Sequence, residues 1–213
     1  MIIKESNNTH ISSIAACFML CFPHSFAVLL GRKTVAKSLE WFLQNENRFL
    51  VHAEINGEVI GFVGGFAPQF VGDGSKSGML RHSFSTALFS MISKPSLFFH
   101  EEVRKYLPAF IRNVFLRIRK PKKSSQATPK NYFENVLIST IGIHPSYRGK
   151  GFAQTLLSTV ETYGAKYNRG QMHLSVKNIN TQAIRAYTKA GWAFTGEFKD
   201  TYHFEKKINP III

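Results

Sequence analysis

A strand, a glycine-rich turn, a helix and a second strand follow one another between residues 134 and 176. This succession constrains the fold more than any other feature of the chain. Residues 136–143 are mostly apolar and β-branched, as expected of a strand covered on both faces. Arg148, Gly149, Lys150 and Gly151 form the turn. Ala153, Leu156, Leu157, Val160 and Gly164 then recur at helical spacing over about 151–167, and "QMHLSV" at 171–176 alternates as a strand does. Strand, helix and strand with joints this short make a parallel crossover unit, whose hand is right.

The rest of the chain arranges itself around that unit. "MIIKES" opens as a strand, Asn8 or Thr9 caps a helix through about Cys21, and Pro23 ends it. Residues 34–45 read as a second helix with Val35, Leu39, Phe42 and Leu43 on one face. Two apolar runs flank Asn56-Gly57 within 48–67, the clearest hairpin. Residues 72–133 break the rhythm: a loop at 72–78, short helical stretches punctuated by Pro95 and Pro108, and a basic tail read as mobile loop. After 176, Asn180 caps a short helix ending at Gly191, and "GWAFTGEF" with "TYHFEKKI" closes the chain as a hairpin. With 213 residues, no repeat and no long linker, the reading is one domain, 1–213, with an insertion at 72–133.

Composition narrows the partners. The longest apolar run, 14–22, is far shorter than the roughly 20 residues a membrane helix needs, and the N-terminus lacks a secretory pattern. Cys17 and Cys21 lie four apart in an apolar segment and read as reduced core thiols, not a disulfide framework or a metal site. A cytoplasmic location follows as the expectation. The formal net charge of +14 makes anionic ligands, nucleic acid and anionic membranes plausible partners. It is concentrated: no Asp or Glu lies between Glu102 and Glu134, whereas Arg104, Lys105, Arg112, Arg117, Arg119, Lys120, Lys122, Lys123 and Lys130 do. Direct DNA binding is disfavoured, because no helix-turn-helix or finger pattern is present.

The turn itself suggests a ligand. Free N–H groups and the helix dipole favour a phosphate at a helix N-terminus, and glycine lets the backbone come close to it. Neither GxxxxGK[ST] nor GxGxxG occurs, so the turn is not a Walker loop or a dinucleotide fingerprint. A tight turn with solvated charges would look the same. Downstream, Asn180, Ala183 and Tyr187 stack on one helix face, with a small residue leaving room between the larger two. Tyr187 taken alone also fits an ordinary packed aromatic.

Taken together, these stretches resemble the GNAT superfamily of N-acetyltransferases. The family's pyrophosphate pattern is Arg or Gln, two residues, Gly, any residue, then Gly or Ala; here it is Arg148, Gly149, Lys150, Gly151, Phe152, Ala153. Its downstream N-x-x-A-x-x-x-Y-x-x-x-G-[FW] stretch is filled by Asn180, Ala183, Tyr187, Gly191 and Trp192. The resemblance is strong over 134–198, weaker over 1–68, and does not cover 72–133. It implies an α/β fold with a mixed central sheet flanked by helices, the basic and largely helical insertion preceding the fourth strand.

The resemblance also implies acetyl-CoA as co-substrate. Backbone amides of Arg148, Gly149, Lys150, Gly151, Phe152 and Ala153 would cradle its pyrophosphate. The strand at Ile141, Gly142 and Ile143 would bind the pantetheine arm and supply an oxyanion N–H, the neighbouring strand splaying to admit the thioester. Asn180 would touch the arm, and Tyr187 would protonate the leaving thiolate. An amine acceptor must lose a proton, and Glu134 is the first candidate for the base, at an offset from the turn longer than in relatives that use a glutamate. His144 is second and Tyr132 third. No metal is implied.

The acceptor would be the primary amine of a small or phosphorylated molecule, such as an amino sugar, or a protein amine. It would be gripped by 22–33 and by the insertion. There Val103, Leu107, Phe110, Ile111, Val114 and Ile118 fall at helical spacing with Arg104, Arg112 and Arg119 off the stripe. That pattern fits a lid, an electropositive wall for a phosphorylated acceptor, or a helix lying on an anionic membrane. The alternative to an enzyme is a non-catalytic acyl-CoA-binding protein docked on a membrane or nucleic-acid surface. Peripheral membrane association and a homodimer stay open.

Overall fold

The computed structural model describes residues 1–69, 73–101, 103–104, 108 and 134–208. Seven strands form one sheet: β1 (Ile2–Glu5), β2 (Arg48–Ile55), β3 (Glu58–Phe66), β4 (Asn135–Ile143), β5 (Gln171–Lys177), β6 (Ala193–Phe198) and β7 (Thr201–Lys207). Their order is β1-β2-β3-β4-β5-β7-β6. Only β4 and β5 are parallel; the other neighbours run antiparallel. This is the mixed sheet that the family resemblance implies.

The β2–β3 hairpin turns at Asn56 and Gly57, whose φ angles of 51° and 80° are the left-handed pair a tight primed turn needs. The closing hairpin folds so that β7, not β6, pairs with β5.

Helices cover both faces of the sheet. On one face lie α1 (Ile11–Cys21), α2 (Phe26–Leu29) and α3 (Arg32–Glu40), followed by a 3-10 turn at Trp41–Leu43. Ile14, Val35, Leu39 and Phe42 of these elements pack with Leu50, Phe62 and Phe66 of the sheet. On the other face, α6 (Phe152–Lys166) buries Leu156, Leu157, Val160 and Tyr163 against Phe49, Val136, Ile138 and Met172. Each such side chain contributes about 1.5–3 kcal/mol of burial. The Tyr163 ring stacks on Phe49 at 4.2 Å. The last helix, α7 (Thr181–Lys189), lies on this second face too, because Tyr187 joins the same core.

Three local expectations are corrected. Neither Asn8 nor Thr9 caps α1: its N-cap is His10, and Asn7 Oδ1 instead accepts from the Thr9 N–H (3.0 Å) and hydroxyl (2.6 Å). The second half of β4 is not covered on both faces, since Ser139, Thr140, Ile141 and Ile143 are half-buried. The loop expected at 72–78 gives way to α4 (Ser75–His82), where Gly78 lets the helix backbone approach the Trp41 indole more closely than any side chain would allow.

The described part of residues 72–133 packs against the rest of the chain. After α4 come α5 (Phe84–Ser93) and a 3-10 turn at Pro95–Phe99. Phe84, Ala87, Met91 and Val103 close over Leu30 at the end of α2. Arg104 is exposed. Leu107, Phe110, Ile111, Val114, Ile118, the remaining cations of the run and Tyr132 lie outside the described residues. No helix among the described residues is long and apolar enough to cross a membrane.

Candidate active site

The parallel pair comes apart partway along. β4 and β5 are in register from Asn135↔Gln171 to Ile138↔Leu174, and there the pairing ends. β5 continues against β7 as far as Lys177↔Thr201, and β4 continues against β3 as far as Ile143↔Gly61. Each strand therefore keeps its outer neighbour and loses its inner one. The parting begins at Ser139, which is skipped in the β3–β4 register between Gly64↔Thr140 and Gly65↔Ile138, a bulge that bends β4 away.

Beyond the bulge the ladder decides which backbone groups face the gap. The His144 N–H donates to the Ile60 carbonyl at 2.8 Å. Bonded pairs alternate along an antiparallel ladder, so Gly142 and Thr140 turn toward β3, while Ile141 and Ile143 turn toward the gap. Gly142 is small for a different reason: a Cβ there would sit 2.8 Å from the Phe62 ring and 3.0 Å from Cys21 Sγ.

The turn after β4 builds an anion cradle. Gly149 and Gly151 have φ of 78° and 82°, and a Cβ on either would meet open space. Gly151 is the N-cap of α6. Among the described residues no acceptor faces the consecutive amides of Gly149, Lys150, Gly151, Phe152 and Ala153. A row of open N–H groups at a 15-residue helix's N-terminus fits a phosphate or pyrophosphate.

Arg148 braces the cradle from behind. Its Nε donates to the Ile143 carbonyl (3.1 Å) and its Nη2 to the Cys21 carbonyl at the end of α1 (3.4 Å). Lys150 reaches over the Tyr147 ring at 5.2 Å. Cys17 and Cys21 are free and buried, their sulfurs 4.0 Å apart. The Cys17 thiol and then the nearby Arg148 charge pull the Cys21 thiol below its ordinary range.

Asn180 caps α7 as expected, its Oδ1 accepting from the Ala183 N–H at 3.2 Å. Its amide oxygen thus serves the helix. Tyr187, 7% exposed, packs its ring on Phe204 (6.0 Å) and Trp192 (6.3 Å). Burial pushes its phenol up to about 12. Among the described residues nothing hydrogen-bonds its hydroxyl, which leaves that proton for a ligand.

The base candidates are placed less favourably. Glu134 is exposed and immediately precedes β4. The strand rises about 3.3 Å per residue, so Glu134 stands about 16 Å from the start of the gap at Ser139. His144 is spent locally: its Nδ1 accepts from the Ser146 N–H at 3.3 Å, capping the 3-10 turn at Pro145–Tyr147. Sequence reasoning missed a polar cluster on the opposite face, where His173, Ser175 and His203 meet. Its only signal was the polar alternation of β5 and β7.

Among the described residues, His10, His52 and Glu54 could bring ligand atoms within 4.8 Å of one another. Those atoms are already engaged. His52 bonds Ser6 (2.8 Å) and Glu54 (3.0 Å), His10 Nδ1 accepts from the Asn7 N–H (3.1 Å), and Lys4 holds Glu54 (2.6 Å).

Two parallel strands thus part beside a row of amides that face no acceptor among the described residues. Comparison with known proteins agrees. The acetyltransferase (GNAT) family model matches residues 125–192. Streptothricin acetyltransferase of Streptomyces lavendulae is 33% identical over 63 residues, 30% of this chain and 33% of that protein. The match thus spans about a third of that relative's length. An acetyltransferase of the GNAT family from Streptococcus pneumoniae superposes with a TM-score of 0.57 at 15% identity, over 98% of this chain and 99% of that one. An aminoglycoside 6'-N-acetyltransferase complexed with coenzyme A gives 0.59 at 14%, over 99% and 98%. Residues 125–192 thus match the acetyltransferase (GNAT) family, and the chain shares the fold of solved acetyltransferases.

Proposed function

We propose that the chain is an acetyl-CoA-dependent N-acetyltransferase that moves the acetyl group directly to the primary amine of a small acceptor. The observation that carries this reading is the row of open amides at Gly149–Ala153 next to the gap between β4 and β5. The family match over 125–192 and the fold shared with a coenzyme A complex support it.

In this reading the amides of 149–153 hold the pyrophosphate, with Lys150 adding charge. The backbone groups of Ile141 and Ile143 bond the pantetheine arm as a missing strand would. An N–H of that stretch faces the thioester oxygen and stabilises the charge that develops there. Tyr187 hands its proton to the departing sulfur. With its phenol near 12, it is fully protonated at neutral pH and acts as a donor.

The cradle and Tyr187 lie on the α6 face, so the acceptor enters from the α1–α3 face. Glu134, about 16 Å from the gap at roughly 3.3 Å per residue, reaches the amine only through solvent. The insertion, whose described part leans on α2 and α3, flanks the acceptor's entrance. An acceptor bearing phosphate is the finer expectation, because the described acidic side chains are largely engaged: Glu5, Glu40, Glu54, Glu58, Glu161, Glu197 and Glu205 all have partners. A polycationic acceptor finds few open carboxylates.

Release of free CoA thiol from acetyl-CoA, followed with a panel of neutral, cationic and phosphorylated amines, tests this reading. Amine-dependent release is expected. Tight CoA binding with no amine-dependent release would favour a non-catalytic acyl-CoA-binding protein.

A further inference from the structure

We propose that His203, held by His173 and Ser175, is the proton acceptor for the attacking amine. This rests on the acetyl-transfer reading above.

The placement comes from strand register and side-chain contacts. Met172, Leu174 and Val176 of β5 and Phe204 of β7 point into the core under α6. Strand alternation therefore puts His173, Ser175 and His203 on the opposite face, the one from which the acceptor enters. His203 is the register partner of Ser175, the β5 residue one past Leu174, where β4 and β5 part. Its ring leans over β5 and not away from it: Nδ1 lies 3.2 Å from His173 Nε2 and 3.1 Å from Ser175 Oγ. His173 in turn is the register partner of Leu137, just before the gap.

The hydrogen bonds orient the imidazole. Burial, and then the neighbouring His203, hold His173 down to about 4, so it is neutral above that pH. A neutral His173 can offer Nε2 as an acceptor. His203 then carries its proton on Nδ1, donates it to His173, and leaves Nε2 with a lone pair. No described residue bonds that Nε2. By the same alternation the charged side chains on this face among the described residues are Lys177 of β5 and Glu205 and Lys207 of β7, and the Glu205 carboxylate takes the Gln171 amide at 2.7 Å.

The step balances. As the amine's N–C bond to the acetyl carbon forms, one N–H bond breaks and His203 Nε2 takes the proton. The C–S bond breaks, and the sulfur takes the proton of Tyr187. Solvent later removes the proton from His203 and restores that of Tyr187. His203 is the catalytic residue here; His173 is a positioning residue that fixes the tautomer.

The test uses the full chain, acetyl-CoA and n-propylamine at high concentration, a minimal amine that an amine-acetylating gap admits. Rates for wild type, His203→Gln, His173→Gln and Glu134→Gln are measured from pH 5 to 10, with calorimetric acetyl-CoA affinity as the folding control. Wild-type kcat/KM should rise along a limb as pH increases, the limb of a general base that must be unprotonated to act. His203→Gln should lower kcat/KM about 100-fold and abolish that limb, with acetyl-CoA affinity unchanged within a factor of about 3. His173→Gln should keep the limb but move it. Activity of His203→Gln within about threefold of wild type, or loss of the limb in Glu134→Gln instead, overturns the proposal. Tight acetyl-CoA binding with no transfer to propylamine by wild type overturns it together with the acetyl-transfer reading beneath it.

Discussion

Ile138 and Leu174 are the last residues at which β4 and β5 face one another, and everything proposed for this chain depends on the strands parting there. The backbone of Ile141 and Ile143 faces the gap, while Thr140 and Gly142 bond to β3. Acetyl-CoA should therefore slow amide exchange at Ile141 or Ile143 about tenfold or more and leave Thr140 and Gly142 nearly unchanged. Hydrogen-exchange NMR with and without the cofactor reads this directly. Uniform protection of all four would mean a global stiffening and no bound arm.

Tyr187→Phe keeps the ring that packs on Phe204 and Trp192 and removes only the hydroxyl. Turnover should fall about 100-fold with acetyl-CoA affinity within a factor of about 3. Because burial lifts this phenol to about 12, the donor stays protonated through pH 10. The wild-type rate should thus show no falling limb at pH 8–9; such a limb would remove Tyr187 from the mechanism.

Two imidazoles, His52 buried and His173 half-buried, make the fold sensitive to acid. His173 is held down to about 4 and His52 is lowered, both chiefly by burial. An unfolded histidine takes its proton near pH 6.5, so between 6.5 and 4 the unfolded chain binds more protons than the folded one. Stability is complete above pH 6.5 and is lost as pH falls, by at most about 3 kcal/mol for His173. Urea unfolding at pH 7, 6, 5 and 4 checks the slope, which His173→Gln should reduce.

Gly65 sits at the β3 side of the bulge. A Cβ there would come 2.5 Å from the Phe49 ring and 2.7 Å from the Leu137 carbonyl, and that carbonyl belongs to the sheet backbone. Gly65→Ala should cost about 1–3 kcal/mol. Each kcal/mol should lower Tm by about 2–4 °C in a domain of this size. An unchanged Tm would mean that the bulge is far softer than its packing suggests.

Much of this architecture is legible in the sequence because local signals there agree with tertiary demands. Asn56-Gly57 specifies its turn, the glycines at 149 and 151 their positive φ, and Asn180 its cap. Signals failed where a neighbour distant in sequence decided the outcome. Trp41 lets a helix start inside a stretch that reads as loop, because Gly78 fits beneath its indole. The first helix is capped by backbone at His10 since Asn7 has taken up the turn before it. The gap itself is written in no single strand; it arises when β7 claims β5 and β3 claims β4. The His173–His203 contact joins residues 30 apart across two strands, a relation that sequence spacing does not display.

The most direct test is calorimetric titration of the chain with acetyl-CoA, alongside Arg148→Ala and Gly151→Glu. Arg148 bonds the Ile143 and Cys21 carbonyls behind the cradle, and a side chain at 151 would enter its open space. Saturable binding by the wild type is predicted, about tenfold or more weaker in Gly151→Glu, with both variants folded. Binding that is absent, or that Gly151→Glu leaves intact, would contradict the assignment of this turn as the pyrophosphate site.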